Sequence, residues 1–158
     1  MDTNMSLSLG FKGQLKLNAQ AVPLQEGYLK LGGIADGNLT FGVVCSAPSA
    51  DPTAIVAGKG DGNVIRGIVV FDDAIAQNAP AHPNEYLDQM PCAFINKGLV
   101  KIMKWESGKD PVIGYKVQYA DTTGEIGFVA SSADASHTLL AGATVVEVTD
   151  DGAYVWLA

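Results

Sequence analysis

Short runs in which hydrophobic and polar residues alternate recur along the chain and are separated by glycines. In VIGYKVQYAD, residues 112–121, the alternation places Ile113, Tyr115, Val117 and Tyr119 on one face of an extended strand. The same two-residue period occurs in NLTFGVVCS, in VIRGIVVFDD and in KGLVKIMKW. Many short strands of this kind, separated by turn residues, predict an all-β domain.

The C-terminal stretch VVEVTDDGAYVWLA, residues 145–158, predicts a β-hairpin. Asp-Gly accepts the positive φ angles of a type I′ turn, so we expect the turn at Asp151-Gly152. That turn pairs Val148 with Val155 and brings apolar side chains together across the two strands. The same pairing places Trp156 on the more polar face of the hairpin. A large aromatic residue there either covers the edge of the core or anchors an interface with a partner.

Two segments have the composition of short helices, and two others that of long loops. DDAIAQNA (72–79) and ADASHTLLAG (133–142) are each predicted to form one or two helical turns. The proline-bearing stretches 46–63 and 79–91 are predicted to be loops. Long ordered loops are often functional.

The first residues differ in composition from the rest of the chain, because Lys, Ser and Asn recur at short intervals among them. Residues 1–18 are therefore predicted to be an N-terminal arm laid on a neighbour, and residues 19–158 a single β-rich domain. The predicted fold class is all-β: a small β-barrel or a jelly-roll-like sandwich with long loops.

The charge and hydropathy of the chain limit the classes of partner that it is expected to bind. The net charge of −7, from 10 basic and 17 scattered acidic residues, repels phosphate backbones, so direct nucleic-acid binding is not expected. No apolar run approaches the ~18 residues of a membrane span. The start MDTNMSLSLG has an acid and no base before its first leucines, unlike a secretory signal, so synthesis in a cytosol is expected.

Two cysteines do not make a disulfide framework. Cys45 and Cys92 both lie beside apolar, strand-like segments, where cysteine behaves as a small hydrophobic residue. Buried free thiols are the expectation, and a Cys45–Cys92 bridge is the alternative.

The stretch AGKGDGNVIRG, residues 57–67, has the glycines and lysine of a phosphate-binding loop and the Asp and Asn of a calcium loop. However, Gly58-Lys59 is followed by glycine instead of Ser or Thr, and a strand pattern follows instead of a helix. A calcium loop requires more alternating acids than Asp61 and Asn63 provide. The stretch is predicted to be a turn.

No catalytic, cofactor-binding or metal-binding residue is predicted. The two histidines, His82 and His137, follow neither a nucleophile elbow nor a zinc motif. DTTGEIGF, residues 121–128, is similar to a strand motif of trimeric dUTP pyrophosphatases, but Thr122 and Thr123 stand where that motif has aromatic and arginine residues. A small β-rich nucleotide pyrophosphatase is the remote enzymatic alternative.

A family resemblance extends over residues 20–158. The successive stretches GNLTFGVVCSA, VIRGIVVFDDAIA, EYLDQMP, AFINKGLVKI, GYKVQYADTTGEIGF and LLAGATVVEVTDDGAYVWL resemble those of phage structural cement, or capsid decoration, proteins. The resemblance implies a barrel or jelly-roll-like domain, made in the host cytoplasm, on the outer surface of the virion. It implies binding at junctions between major capsid protein subunits, self-association as a dimer or trimer, and no shared catalytic residues.

Three regions are predicted to make protein contacts: the N-terminal segment, the loop from Pro80 to Pro91, and the two tryptophans. Their candidate interface residues are Phe11, Lys12, Lys16, Tyr86, Leu87, Met90, Trp105 and Trp156. A carbohydrate- or receptor-binding module on the virion surface is the main alternative function. That alternative predicts a coplanar patch of exposed aromatic residues beside Asp or Asn.

Overall fold

The computed structural model describes residues 21–23, 29–72 and 84–158, which form strands and turns. The strands are β1 (Ala21–Pro23), β2 (Leu29–Ala35), β3 (Leu39–Thr40), β4 (Val44–Ala47), β5 (Ala54–Ala57), β6 (Val64–Val69), β7 (Glu85–Tyr86), β8 (Pro91–Ile102), β9 (Lys116–Ala120), β10 (Ile126–Val129), β11 (His137–Thr149) and β12 (Gly152–Leu157).

The described residues contain no helix, and accordingly none that could span a membrane. The helical prediction for residues 133–142 is wrong, because β11 begins at His137 and includes most of that segment. The other predicted helix, residues 72–79, lies outside the described residues from residue 73 onward.

Five strands close a small barrel in the order β8, β2, β5, β4, β6 and back to β8. The β2–β5 pair is parallel and the other pairs are antiparallel. The ring closes where Ile68 and Val69 of β6 pair with Ile95 and Phe94 of β8. The predicted small β-barrel is therefore confirmed.

Strand β8 is longer than the barrel requires and continues into a second sheet. Beyond the barrel it pairs with β12, and the sheet then proceeds through β11 and β9 to β10. β1 lies along the same part of β8, with Ala21 opposite Ile102. We call β12, β11, β9 and β10 the C-terminal sheet.

A single hydrophobic core extends through the barrel and beneath the C-terminal sheet. Its largest fully buried apolar side chains include Phe41, Phe94, Phe128, Tyr119 and Ile102. Burying each such side chain contributes roughly 1.5–3 kcal/mol before the entropy cost of ordering. This common core explains why the two sheets form one unit. The predicted boundary between an arm and the domain at residue 18 lies outside the described residues.

Alternation predicts the inward face of β8 correctly. Val100 and Ile102 are buried, and Lys101 between them is partly exposed. The prediction for residues 112–121 is partly wrong, because β9 begins only at Lys116 and Ile113 is 66% exposed. Val117 and Tyr119 do face the core, as their spacing predicts.

The C-terminal hairpin forms, but its turn differs from the prediction. The turn residues are Asp150 and Asp151, and Gly152 instead begins β12, paired with Thr149. The Thr149 hydroxyl donates a 2.8 Å hydrogen bond to Asp151 Oδ1 and stabilises this turn. A Cβ atom on Gly152 would lie 2.9 Å from the Ile102 carbonyl oxygen, so glycine is required here for close strand approach.

A bulge then shifts the register of the hairpin between Val145 and Glu147. The different turn and the bulge together place Val155 opposite Val145 instead of the predicted Val148. The extra residue, Val146, is 46% exposed. Sequence pairing rules miss such a residue because a bulge changes the two-residue period.

Both predicted loops contain short strands. AIVA, residues 54–57, forms β5 and completes the barrel, whereas Glu85 and Tyr86 form β7 against β3. Between β5 and β6 the glycine-rich stretch 58–63 is a turn, as predicted. Asn63 donates a 3.2 Å side-chain hydrogen bond to Ser46 Oγ and ties this turn to β4.

Candidate functional site

The loop that precedes β8 does not present its tyrosine to a partner. Tyr86 is 2% exposed, and its hydroxyl donates a 2.7 Å hydrogen bond to the Val70 carbonyl. Its ring makes an edge-to-face contact with Phe41 at 4.9 Å between centroids. The expected exposure of Tyr86 is therefore wrong, since a proline-rich neighbourhood does not by itself expose an aromatic ring. Contact of Tyr86 with a partner stays a prediction.

The remainder of that loop is held against the end of β2. Asp88 Oδ1 accepts a 2.8 Å hydrogen bond from the Gly37 amide, which lowers the pKa of Asp88. The Ala35 amide donates to the Met90 carbonyl at 2.8 Å. Leu87 and Met90 are half-buried, and their contact with a partner stays a prediction.

Trp105 is also integrated into the domain. It is partly buried against the core, and its ring meets Phe128 edge to face at 5.8 Å. Its indole Nε1–H donates a 3.0 Å hydrogen bond to Asp110 Oδ1. The ring and the polar atom of Trp105 therefore both make contacts within the chain, and its contact with a partner stays a prediction.

Polar contacts fix the long β8–β9 connection on the C-terminal sheet. His137 Nε2 lies 2.8 Å from Glu106 Oε1, and Lys109 Nζ lies 2.6 Å from Asp134 Oδ2. Gln118 Nε2 donates to the same Asp134 oxygen at 2.9 Å. These contacts join the connection to the β10–β11 loop.

The charges in this network shift its pKa values in a consistent direction. The Ala135 carbonyl, followed by Glu106, raises the pKa of His137 by favouring the imidazolium. Lys109, followed by Gln118, lowers the pKa of Asp134. Each shift favours the charged form, so the network holds the connection most firmly when His137 is protonated.

The same connection carries the most exposed large apolar side chain in the described part of the chain. Val112 and Ile113 are 48% and 66% exposed at its tip. The Gly114 amide donates to the Val145 carbonyl at 2.8 Å, and the Val145 amide donates to the Tyr115 carbonyl at 2.9 Å. This pairing brings the tip beside Val145, the residue that precedes the β11 bulge.

Trp156 lies on the outer surface of the C-terminal sheet and is 42% exposed, consistent with its predicted outward face. It pairs with Thr144 on β11 and with Leu99 on β8. Thr144 is two residues from the exposed bulge residue Val146. We define the C-terminal sheet patch as Val112, Ile113, Val146 and Trp156.

Sequence reasoning found one of the four patch residues, Trp156. Val112 and Ile113 were assigned to a strand because they continue the alternation of β9. A signal was available in Gly114, since a glycine inside a strand pattern often marks a turn or an interruption. Val146 offers no comparable signal, because neither a glycine nor another turn residue marks the bulge within β11.

The three N-terminal candidates, Phe11, Lys12 and Lys16, lie outside the described residues, and their contacts stay predictions. Trp156 is the one exposed large aromatic side chain in the described ranges, where the carbohydrate-binding alternative predicts several. Within those ranges there is also no group of three or more His, Cys, Asp and Glu side chains placed to hold a metal ion.

Both cysteines are buried free thiols, as predicted. Burial raises the pKa of Cys92 to about 11 and raises that of Cys45 as well. Such thiols remain protonated at neutral pH and are poor nucleophiles.

Comparison with known proteins identifies the family. The family model described as structural cement protein (E217 gp24/Pam3 gp6) matches residues 2–158. The chain belongs to the phage structural cement protein family. The cement protein is therefore a structural component of the phage virion, and it associates with capsid proteins.

A solved structure agrees with the observed fold. The cement protein is similar to a chain of "The capsid of Myoviridae Phage XM1" with a TM-score of 0.66 and 14% sequence identity. The similarity covers 88% of each chain. At this identity the likeness concerns the fold. None of the curated proteins compared matches the cement protein.

Proposed function

We propose that the cement protein binds the outer surface of the phage head at junctions between major capsid protein subunits, and that this binding stabilises the shell. The observation that carries the proposal is the C-terminal sheet patch, in a chain whose family is one of structural cement proteins. Exposed apolar side chains on a sheet and on the loop beside it are typical of a protein-binding surface.

The patch is suited to a partner because its apolar residues are held in place before binding. Backbone hydrogen bonds to Val145 hold the Val112–Ile113 tip, and the His137–Glu106 contact holds the connection that carries it. A pre-ordered surface loses less conformational entropy on association than a loop that must order itself. Burial of these side chains against the shell therefore contributes more of its free energy to affinity.

Charge supports the outer surface as the location. With a net charge of −7, the cement protein is repelled by the packaged DNA that fills the interior of a head. Acidic residues cause no such repulsion on the outside, where the partner is protein.

Binding to the assembled shell stabilises it by mass action. A ligand present at about 1,000 times its Kd adds ~4 kcal/mol for each occupied site. Self-association as a dimer or trimer would let one particle engage several subunits, which raises the effective concentration of each further contact. The N-terminal residues Phe11, Lys12 and Lys16 are proposed to extend this contact onto a neighbour.

The test is binding to purified heads that lack the cement protein. We expect the wild-type protein to co-sediment and saturate at a copy number commensurate with the capsid lattice, and to raise the melting temperature of the heads. Ile113 is 66% exposed, so burying it contributes roughly 1–2 kcal/mol. The variant Ile113→Ser should accordingly bind about ten-fold more weakly.

A matched pair of conservative substitutions controls for general surface effects. Val146→Thr alters the patch, whereas Ile34→Thr makes a similar change at a residue of β2 that is 41% exposed and lies outside both the patch and its surrounding strands. Only Val146→Thr should weaken binding. Equal binding by Ile113→Ser, Val146→Thr and the wild-type protein would exclude the patch as the docking surface, and failure of the wild-type protein to bind heads would refute the function.

Deletion of residues 1–18 tests the proposed arm separately. If the arm contributes, head binding or self-association should fall while the remaining domain still unfolds cooperatively. Unchanged head binding and an unchanged sedimentation coefficient per protomer would remove the arm from the account.

A further inference from the structure

A groove opens where β8 leaves the barrel. Strands β1 and β2 pair with one edge of β8. Along the other edge, β6 pairs with Phe94 and Ile95 of β8, whereas β12 begins to pair with β8 only at Gly98. β6 continues into the barrel wall and β12 into the C-terminal sheet. The two strands therefore diverge at Asn96, and a cavity of about 420 Å³ lies between them.

The cavity is within the range of roughly 300–1,000 Å³ that is usual for ligand sites. Its walls come from β6, β9, β11 and the end of β12. The apolar side chains among them are Ile65, Tyr119, Leu139, Leu140, Ala141 and Leu157. Ile65, Leu139 and Leu140 are only half-buried, so they offer apolar surface to an occupant.

Two strand edges border this groove. In the part of the chain that the structure describes, β6 pairs with β8 only at Ile68 and Val69, and Gly67 packs against Ile95, so residues 64–66 have no strand partner on that side. β11 pairs with β12 only from Ala143 onward. Within the described ranges, the edge of residues 138–141 that faces away from β9 therefore has no strand partner. Extended peptides bind such edges by adding a strand, with main-chain hydrogen bonds and pockets for side chains.

The charge of the groove is opposite to that of the chain as a whole. Lys59 and Arg66 line it, and no carboxylate does so among the described residues, although acids outnumber bases by 17 to 10. The Arg66 guanidinium lies 5.3 Å from the centroid of the Phe94 ring. Its Nε is buried and meets no hydrogen-bond acceptor in the described structure.

A carboxylate is the group that pairs best with an arginine, because it accepts two parallel hydrogen bonds from the guanidinium. The groove therefore combines three features: an apolar floor, open strand edges and a guanidinium with no carboxylate among the described residues that line the groove. An extended peptide that carries a carboxylate beside apolar side chains satisfies all three.

We infer that this groove binds an extended segment of the major capsid protein, with an Asp or Glu side chain of that segment paired to Arg66. The inference rests on the proposed function and assigns a second contact, distinct from the C-terminal sheet patch. In this arrangement the segment adds a strand to the free edge of β6 or β11. Its apolar side chains cover Leu139 and Leu140, and the patch contacts the shell elsewhere.

The first test compares the wild-type protein with Arg66→Met for binding to heads that lack the cement protein. Arg66→Met removes the cation and keeps an unbranched apolar side chain, and should weaken binding at least ten-fold. The variant should melt at the same temperature as the wild-type protein or higher, because it also removes the unpaired donor. Lys104→Met removes one charge from an exposed residue that does not line the groove and should bind like the wild-type protein.

The second test identifies the occupant by photo-crosslinking on heads. A benzophenone side chain is placed at Ala141, which is exposed and lines the groove. The control position is Asp36, which is exposed just beyond the end of β2 and does not line the groove. Mass spectrometry should find Ala141 linked to an acidic, apolar segment of the major capsid protein and Asp36 without that link.

Each contrary outcome has a distinct meaning. Binding by the wild-type protein together with equal binding by Arg66→Met would overturn the inference and leave the proposed function intact. Crosslinking of Ala141 to a second copy of the cement protein would overturn the assigned occupant. Equal losses for Arg66→Met and Lys104→Met would show that total charge, and not the groove, governs binding. Failure of the wild-type protein to bind heads would refute both proposals.

Discussion

Gly124→Ala is expected to separate the C-terminal sheet from the barrel, because this glycine lies at their junction. The Val44 amide of the barrel donates a 2.9 Å hydrogen bond to the Gly124 carbonyl, and the Gly124 amide donates to Ala120 at 2.8 Å. Gly124 has a φ of +74°, and a Cβ atom there would overlap the Val44 carbonyl oxygen and lie 2.8 Å from the Gly58 amide nitrogen.

The expected cost has two parts. An alanine in the left-handed region costs about 1–2 kcal/mol. Moving the backbone to relieve the overlap breaks at least one of these hydrogen bonds and leaves a buried group unpaired, which costs about 1–3 kcal/mol. Gly124→Ala should therefore reduce the free energy of unfolding by about 2–5 kcal/mol.

Gly62→Ala provides the matched control. Gly62 has a similar φ of +69°, but no atom lies within 4 Å of the position of its Cβ. That variant should lose only the left-handed part, about 1–2 kcal/mol. Denaturant unfolding followed by tryptophan fluorescence measures both values. Equal destabilisation by the two substitutions would refute the close contact between the sheet and the barrel.

Three further variants or treatments test the interior and the loop network. His137→Gln should abolish a pH-dependent contribution to the free energy of unfolding. The pKa of His137 is raised in the folded protein, so the contact with Glu106 stabilises the fold fully below the unfolded pKa of about 6.5. This contribution is lost as the pH rises through the folded pKa. Wild-type stability should therefore fall relative to that of His137→Gln as the pH rises above about 6.5 in denaturant titrations, and parallel profiles would contradict this reasoning. Cys45 and Cys92 should react with a thiol reagent only as fast as the protein unfolds, whereas rapid labelling in native buffer would show that they are accessible. Tyr86→Phe should lower the free energy of unfolding by about 1–3 kcal/mol, measured by thermal or chemical unfolding, while head binding is retained. Loss of head binding without loss of stability would instead identify Tyr86 as an interface residue.

Local alternation was sufficient to predict the class of fold and much of the core. Val100 and Ile102 face inward because a strand exposes successive side chains on opposite faces, and this period is readable from the sequence alone. The turn at residues 58–63 was predictable for a similar reason, since its glycines and Asp-Gly pair are local signals. Burial of both thiols followed from their apolar neighbours.

Features that depend on distant strands were not predictable in this way. The barrel closes through the pairing of β6 with β8, and β8 then serves a second sheet, although nothing in its own residues indicates two partners on each side. Tyr86 is buried because Phe41 and Val70 receive it. The patch likewise depends on the backbone pairing of Gly114 with Val145, which are far apart in the sequence.

The most direct test of the account is a cryo-electron microscopy reconstruction of heads saturated with the cement protein. We expect ordered density on the outer surface, over junctions between major capsid protein subunits, with Ile113 and Trp156 facing the shell. Density inside the shell, or on the body of single subunits with those two side chains facing solvent, would contradict it.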